Sequence, residues 1–212
     1  MNKNGGIVLL DAESKKVLRS IGFQYDPTTI NRTLQSQRVD SQGGDRSEAL
    51  RLTGPPIETI SVEIELEGFD LLDNPAQNNM APEKGILPVL TALEMIVYPS
   101  ANSIQQNYRA AKAGVLEISP VQAPLTVFVW NRARSTPVRI DEMSIEEQFF
   151  DDDLNPVRAK VSLSMRVLNT NDLGFQHHGG NMYMVHQRSL EQLAARGSGE
   201  IVKSLAHQGF GI

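Results

Sequence analysis

The sequence predicts a mainly β protein with one or two helices, an α+β chain whose strands carry the core. Three observations predict this. Ile60, Val62, Ile64 and Leu66 alternate with Ser61, Glu63, Glu65 and Glu67, the period of two that puts one strand face in a core and the other in solvent. The same alternation returns over Val157 to Val167, where Val157, Ala159, Val161, Leu163, Met165 and Val167 interleave with Arg158, Lys160, Ser162, Ser164 and Arg166. Between them lies a single helical stripe, Ile86, Leu90, Leu93 and Val97, at spacings of four, three and four.

The remaining elements follow in order. Ile21, Phe23 and Tyr25 alternate with Gly22 and Gln24 as a half-buried strand, and Asp26-Pro27 ends it because proline has no N–H for a ladder. Ile30 to Gln37 is a second extended piece with weaker alternation, and Asp40 to Arg46, rich in Ser, Gly, Asp and Gln, is an exposed loop. The acidic face of the strand Thr59 to Glu67 discourages wrong edge pairing. Asp70 to Lys84 is a loop, and Leu87 to Tyr98 is the main helix, with Pro88 in its first turn and Pro99 as its stop. Ser103 to Ala113 is a second short helix with Ser103 as candidate cap and Gly114 as stop.

Leu125 to Trp130 is nearly all apolar or aromatic, the composition of a central strand buried on both faces. Val138 to Phe149 starts with Val138 and Ile140 inward and then changes phase to Met143 and Ile145, which predicts a β-bulge. Phe150 to Pro156 has the composition of a hairpin turn leading into the strand Val157 to Val167. After Asn169 the chain turns polar and Gly-rich, with a short helix over Ser189 to Arg196. The predicted organisation is a β domain over residues 1–170, of five or six strands with one main helix inserted, and a C-terminal extension over 171–212.

Bulk properties narrow the function. Twenty basic and twenty-five acidic residues give a net charge of −5, without the basic surplus of a general nucleic-acid binder. With no cysteine, disulfides, Cys-based zinc sites and Cys nucleophiles are excluded together. Ile7 to Leu10 is too short for a signal-peptide core, and the apolar stretch Ile86 to Tyr98 contains Pro88 and Glu94 and cannot span a bilayer. The expected location is the cytoplasm, unless a larger particle carries the chain out.

No residue qualifies as catalytic, cofactor-binding or metal-ligating, and no cofactor is implied. Asp151, Asp152, Asp153 and Asn155 lack the alternating ligands and the Gly of a calcium loop, so a solvated hairpin tip is the better reading. His177, His178, His186 and His207 have no carboxylate or Cys beside them at zinc-ligand spacing. No Ser stands in a nucleophile elbow, Gly43-Gly44 and Gly179-Gly180 are lone pairs in polar loops, and Glu63 and Glu65 lie on an open strand face. Charge placement is more informative. Arg132, Arg134 and Arg139 cluster in one hairpin arm, Asp141 to Asp153 carries seven acids and no base, and Arg158, Lys160 and Arg166 point outward on the last strand. Such bands either pair across strands as ordinary surface charge or set docking register against neighbours.

An ordered set of segments then resembles a known family. It comprises Ile21-Gly-Phe-Gln-Tyr-Asp-Pro-Thr-Thr-Ile30, the acidic strand closing on Glu67-Gly-Phe-Asp70, the Leu-rich helix over 86–98, Pro124-Leu-Thr-Val-Phe-Val-Trp130, and Phe149-Phe-Asp-Asp-Asp-Leu-Asn-Pro-Val-Arg-Ala159. Over about residues 15–170 the chain resembles the N-terminal tube-like domain of contractile injection system proteins, the group often fused to a LysM module. The resemblance implies a tail-tube-like fold, a small β-barrel or sandwich with an inserted helix, assembled as a hexameric ring. It also implies a non-enzymatic role as tube initiator or baseplate adaptor, with the inner tube protein, the spike protein and baseplate or sheath-initiator proteins as partners. Neither nucleic acid nor direct membrane insertion belongs to that role. The LysM module is not evident: Ser189-Leu190 and Leu193-Ala194 give a faint echo without the usual Gly-Asp-Thr-Leu-like start, so no glycan binding follows. The alternatives are a cap-end tube terminator of the same particle and a soluble β-type ligand- or glycan-binding module.

Overall fold

A computed structural model describes residues 5–11, 13–24, 27–38, 51–68, 84–114, 123–131 and 134–207, the last eleven as helical backbone only. The loop expected over 40–46, nearly all of that over 70–84, and Tyr25, Asp26 and Arg132 lie outside the described residues. The strands are β1 (Gly6–Leu10), β2 (Val17–Gly22), β3 (Ile30–Gln35), β4 (Ile57–Glu67), β5 (Leu125–Asn131), β6 (Arg134–Phe150) and β7 (Pro156–Val167). The helices are α1 (Leu87–Glu94), α2 (Ala101–Lys112), α3 (Thr170–Leu173) and α4 (His178–His207). All neighbouring strands run antiparallel in one seven-stranded sheet of order β2-β1-β5-β6-β7-β4-β3. The mainly β class with a few helices is thus the observed one.

Seven strands replace the expected five or six. The additional strand, β1, is the apolar run Ile7 to Leu10, which lies between β2 and β5. Both of its faces are packed, with Ile7 and Leu9 in the main core and Leu10 in a second cluster with Leu125 and Val127. A strand buried on both faces shows no alternation, so its sequence carries no period-two signal. Gly6 lets β2 approach, since a Cβ there would stand 2.6 Å from the Ile21 carbonyl oxygen.

The alternating strands fold as their patterns dictate. Ile60, Val62, Ile64 and Leu66 of β4 and Val161, Leu163, Met165 and Val167 of β7 are all buried in one core. The phase change in β6 is a bulge: Ile140 faces Met165 and Glu142 faces Ser164, leaving Asp141 as the additional residue. Met143 and Ile145 thereby stay inward, opposite Leu163 and Val161.

In α1 the stripe Ile86, Leu90 and Leu93 is fully buried against this sheet, while Val97 is exposed because the helix ends at Glu94 rather than at Tyr98. Pro99 disfavours a helical conformation at Tyr98, so the last expected turn loosens. Gly85 aims the helix with φ +52, placing the Ile86 N–H on the Pro156 carbonyl at 3.0 Å. The cap of α2 is Ser100, whose side chain accepts the Ser103 N–H at 3.1 Å; Ser103 is the capped residue instead of the cap.

The ladder order leaves β2 and β3 as edges among the described strands, yet the sheet curls so that each edge approaches the far half of the sheet. Ile30 of β3 and Phe128 and Trp130 of β5 line one cavity, although β6, β7 and β4 lie between those strands in the ladder. Gln24, just after β2, closes the seam onto β4: its amide accepts the Glu67 N–H and donates to the Glu67 carbonyl, both at 2.8 Å. One side chain thus replaces the peptide group of a missing strand neighbour.

The segment after β7 is more helical than its composition predicts. Asn169 and Asp172 form a reciprocal capping box on α3. The expected short helix over Ser189 to Arg196 is the middle of α4, which starts at His178. Two glycines near its start lower helix propensity, but the space is needed: a Cβ at Gly180 would collide with the Gly174 carbonyl. Tyr183 then inserts into the main core.

Candidate functional site

The outward face of β3, β4, β7 and β6 carries the charges that the sequence marks out, and the register sorts them into rows. Glu67 lies beside Arg158 and Gln148, and Glu65 beside Lys160 and Glu146. Next come Glu63, Ser162 and Ser144, then Ser61, Ser164 and Glu142, and finally Thr59, Arg166 and Arg139. Arg158 bridges Glu65 at 3.2 Å and Glu67 at 3.3 Å, and Lys160 reaches Glu65 at 3.6 Å and Glu63 at 3.9 Å. Arg166 pairs with Asp172 at 2.9 Å and Arg139 with Asp141 at 2.8 Å. Arg158 and Lys160 of β7 thus pair with the acids of β4. At their partial exposure each pair contributes roughly 0–1 kcal/mol.

Between the rows the small serines leave a depression of about 640 Å³, with Pro27 to Thr29 on one rim and Glu63, Glu65 and Glu142 around it. It is open and polar, and it contains no cation or imidazole among its lining residues. Such a surface can accept hydrogen-bond donors and positive charge.

The far half of the β6–β7 hairpin is the most unusual surface. β5 pairs with β6 only from Arg134 to Val138, so beyond that point β6 has β7 on one side and no described strand on the other. At its tip Phe149, Phe150 and Leu154 are exposed beside Asp151, Asp152 and Asp153. The turn is well built. Asp151 Oδ1 accepts the Asn155 N–H at 2.7 Å and the Asp153 N–H at 3.0 Å, and the Asn155 side chain donates to Oδ2 at 3.0 Å. The Asn155 side chain, then its backbone N–H, holds the Asp151 carboxyl below its ordinary pKa. Phe149 and Leu154 both adopt positive φ, +52 and +63, a costly conformation for residues with large side chains. The Asp-rich composition marks this tip as a turn. Only the double Phe just before it hints that the turn is also apolar.

A second concentration of polar groups lies under α4. Arg32 Nε pairs with Glu58 Oε1 at 2.6 Å, and Glu58 and His186 are both buried. They line a cavity of about 30 Å³ together with Trp130, Arg134 and Thr136. A space of that size holds one water and no substrate, so the cluster pins α4 to the sheet. Burial lowers the His186 pKa, with Glu58 opposing and Arg32 and Arg134 reinforcing the shift. Its Nδ1 has no hydrogen-bond partner among the described residues.

The other histidines do not gather around His186. His177 Nδ1 accepts the Gly179 N–H at 3.1 Å at the entry to α4, His178 opens that helix, and His207 ends it. Among the described residues no group of three or more His, Asp or Glu side chains is placed to hold a metal ion, and no helix is long and apolar enough to cross a membrane.

No family model matches the chain, and no curated protein matches it. Among solved structures the chain is similar to a chain from the tail of an empty gene transfer agent particle with C6 symmetry, at 11% identity and a TM-score of 0.30, over 77% of this chain and 90% of that one. It is similar also to a chain of the virion of a native gene transfer agent particle, at 10% identity and a TM-score of 0.29, over the same shares.

Proposed function

We propose that this chain is a non-enzymatic structural subunit of a contractile, phage-tail-like injection particle. It assembles in the cytoplasm as a hexameric ring that joins the inner tube to the spike and baseplate. The observation that carries the reading is the far half of the β6–β7 hairpin. A strand edge without a neighbour among the described strands and an exposed Phe149, Phe150 and Leu154 are liabilities in a monomer and are satisfied when another chain covers them. The ordered segments over residues 15–170 supply the kind of assembly. The charged rows fit the same role: paired internally, they keep the sheet face wettable and leave adhesion to the two ends of the molecule.

The test is cryo-electron microscopy of the intact particle beside particles from cells lacking this gene. The expected result is six copies in one layer at the baseplate end of the tube, and loss of tube-bearing particles in the deletion. Complete particles without this chain would overturn the reading.

A further inference from the structure

The hairpin tip has a counterpart elsewhere on the same chain. α2 has no buried residue. Ile104 and Tyr108, four apart and so on one helix face, are 56% and 69% exposed. The turn before it adds exposed Met95, Val97 and Tyr98. The helix carries no acid and ends on Arg109 and Lys112. The tip presents the complement: Phe149 and Leu154, 68% and 79% exposed, with three aspartates and no base.

Within one copy the 95–98 turn lies well away from the tip. Val97 lines a depression with Val138, Arg139 and Ile140. From Ile140 to Phe150 the strand runs ten residues, about 33 Å at ~3.3 Å per residue. We infer that the β6–β7 tip of one copy docks on the 95–98 turn and α2 of a second copy, with the aspartates against Arg109 and Lys112. A contact between different patches on identical chains is heterologous, and closing it by rotation gives a ring. The inference rests on the reading of this chain as a ring-forming subunit and assigns that ring its contact.

The chain has no cysteine, so introduced thiols report only the chosen contact. Full-length L154C and Y108C chains, mixed and oxidised, are expected to give a disulfide-linked dimer containing one of each. Either variant alone should give none. Replacing Asp152 and Asp153 by Lys is expected to weaken self-association at least about tenfold. Adding Arg109→Glu and Lys112→Glu to the same chain should restore it. If native mass spectrometry shows an oligomer that neither cross-links in the mixture nor responds to the charge exchange, the docking is wrong and the ring reading stands. A chain that stays monomeric at high concentration and beside its tube partner overturns both.

Discussion

His186 packs its imidazole on the sheet beside Glu58, Arg32 and Arg134, with Tyr183 one turn earlier on the same helix. Burial favours the neutral ring, so the folded-state pKa lies below the unfolded value of about 6.5. The unfolded chain then binds more protons in this window. The stability held by neutral His186 is complete above pH ~6.5 and is lost as pH falls toward the folded-state pKa. Urea titrations at pH 7.5 and 5.5 should show a lower midpoint at the acid pH, and His186→Gln should shrink that difference. An unchanged difference would mean that the imidazole is solvated in both states. Gly85 makes a sharper demand. At φ +52 a Cβ is strained, and here it would collide with the Pro156 carbonyl that accepts the Ile86 N–H. Gly85→Ala is expected to cost at least ~1–2 kcal/mol in equilibrium unfolding, whereas alanine at the exposed Thr91 of α1 should be neutral.

At the scale of elements, the bulge in β6 separates two deletions that look alike in sequence. Asp141 and Glu142 together oppose Ser164, so removing Asp141 restores plain alternation and keeps Met143 and Ile145 inward. Removing Ser144 turns Ile145 outward and Glu146 into the core. Thermal and urea unfolding should therefore find the Asp141 deletion folded and close to the parent, and the Ser144 deletion destabilised by several kcal/mol, on the order of the burial of Ile145 plus the penalty of an inward carboxylate. The bulge was legible because β6 keeps one face half-wet and so retains its alternation. β4 and β7 were legible for the same reason. β1 was not, since the four apolar residues Ile7 to Leu10 carry neither alternation nor the length of the run read as β5. The early start of α4 was hidden because Gly179 and Gly180 answer a tertiary need, close approach to the 174 turn, that outweighs local propensity. Of the candidate site, the charged rows were visible from alternation. Their mutual pairing and the exposure of Ile104, Tyr108 and the hairpin tip depend on register and packing, which no local pattern encodes.

Across the whole molecule, closure of the sheet depends on a seam. The order of the ladder leaves β2 and β3 without hydrogen-bonded neighbours on their outer sides among the described residues. Phe23 against Phe128, at 6.2 Å between ring centroids, packs the interior of that seam. Gln24 supplies directional bonds at one end: Glu67 offers both a donor and an acceptor, and the Gln24 amide answers both, which an ionised carboxylate of the same length cannot. Gln24→Glu keeps the length and can accept the Glu67 N–H, but its carboxylate faces the Glu67 carbonyl with no proton to give. Gln24→Ala leaves both bonds unmade, at about 1–3 kcal/mol for a part-buried peptide group. Unfolding should rank the parent above both variants, with Gln24→Glu recovering as the pH falls below its carboxyl pKa, because protonation restores a donor. Hydrogen exchange provides the local check. Protection should fall first at the Glu67 N–H and along β2, and the interior ladder between β6 and β7 should hold. Uniform loss of protection across all seven strands would show that the sheet opens as one unit and that Gln24 does not govern the seam.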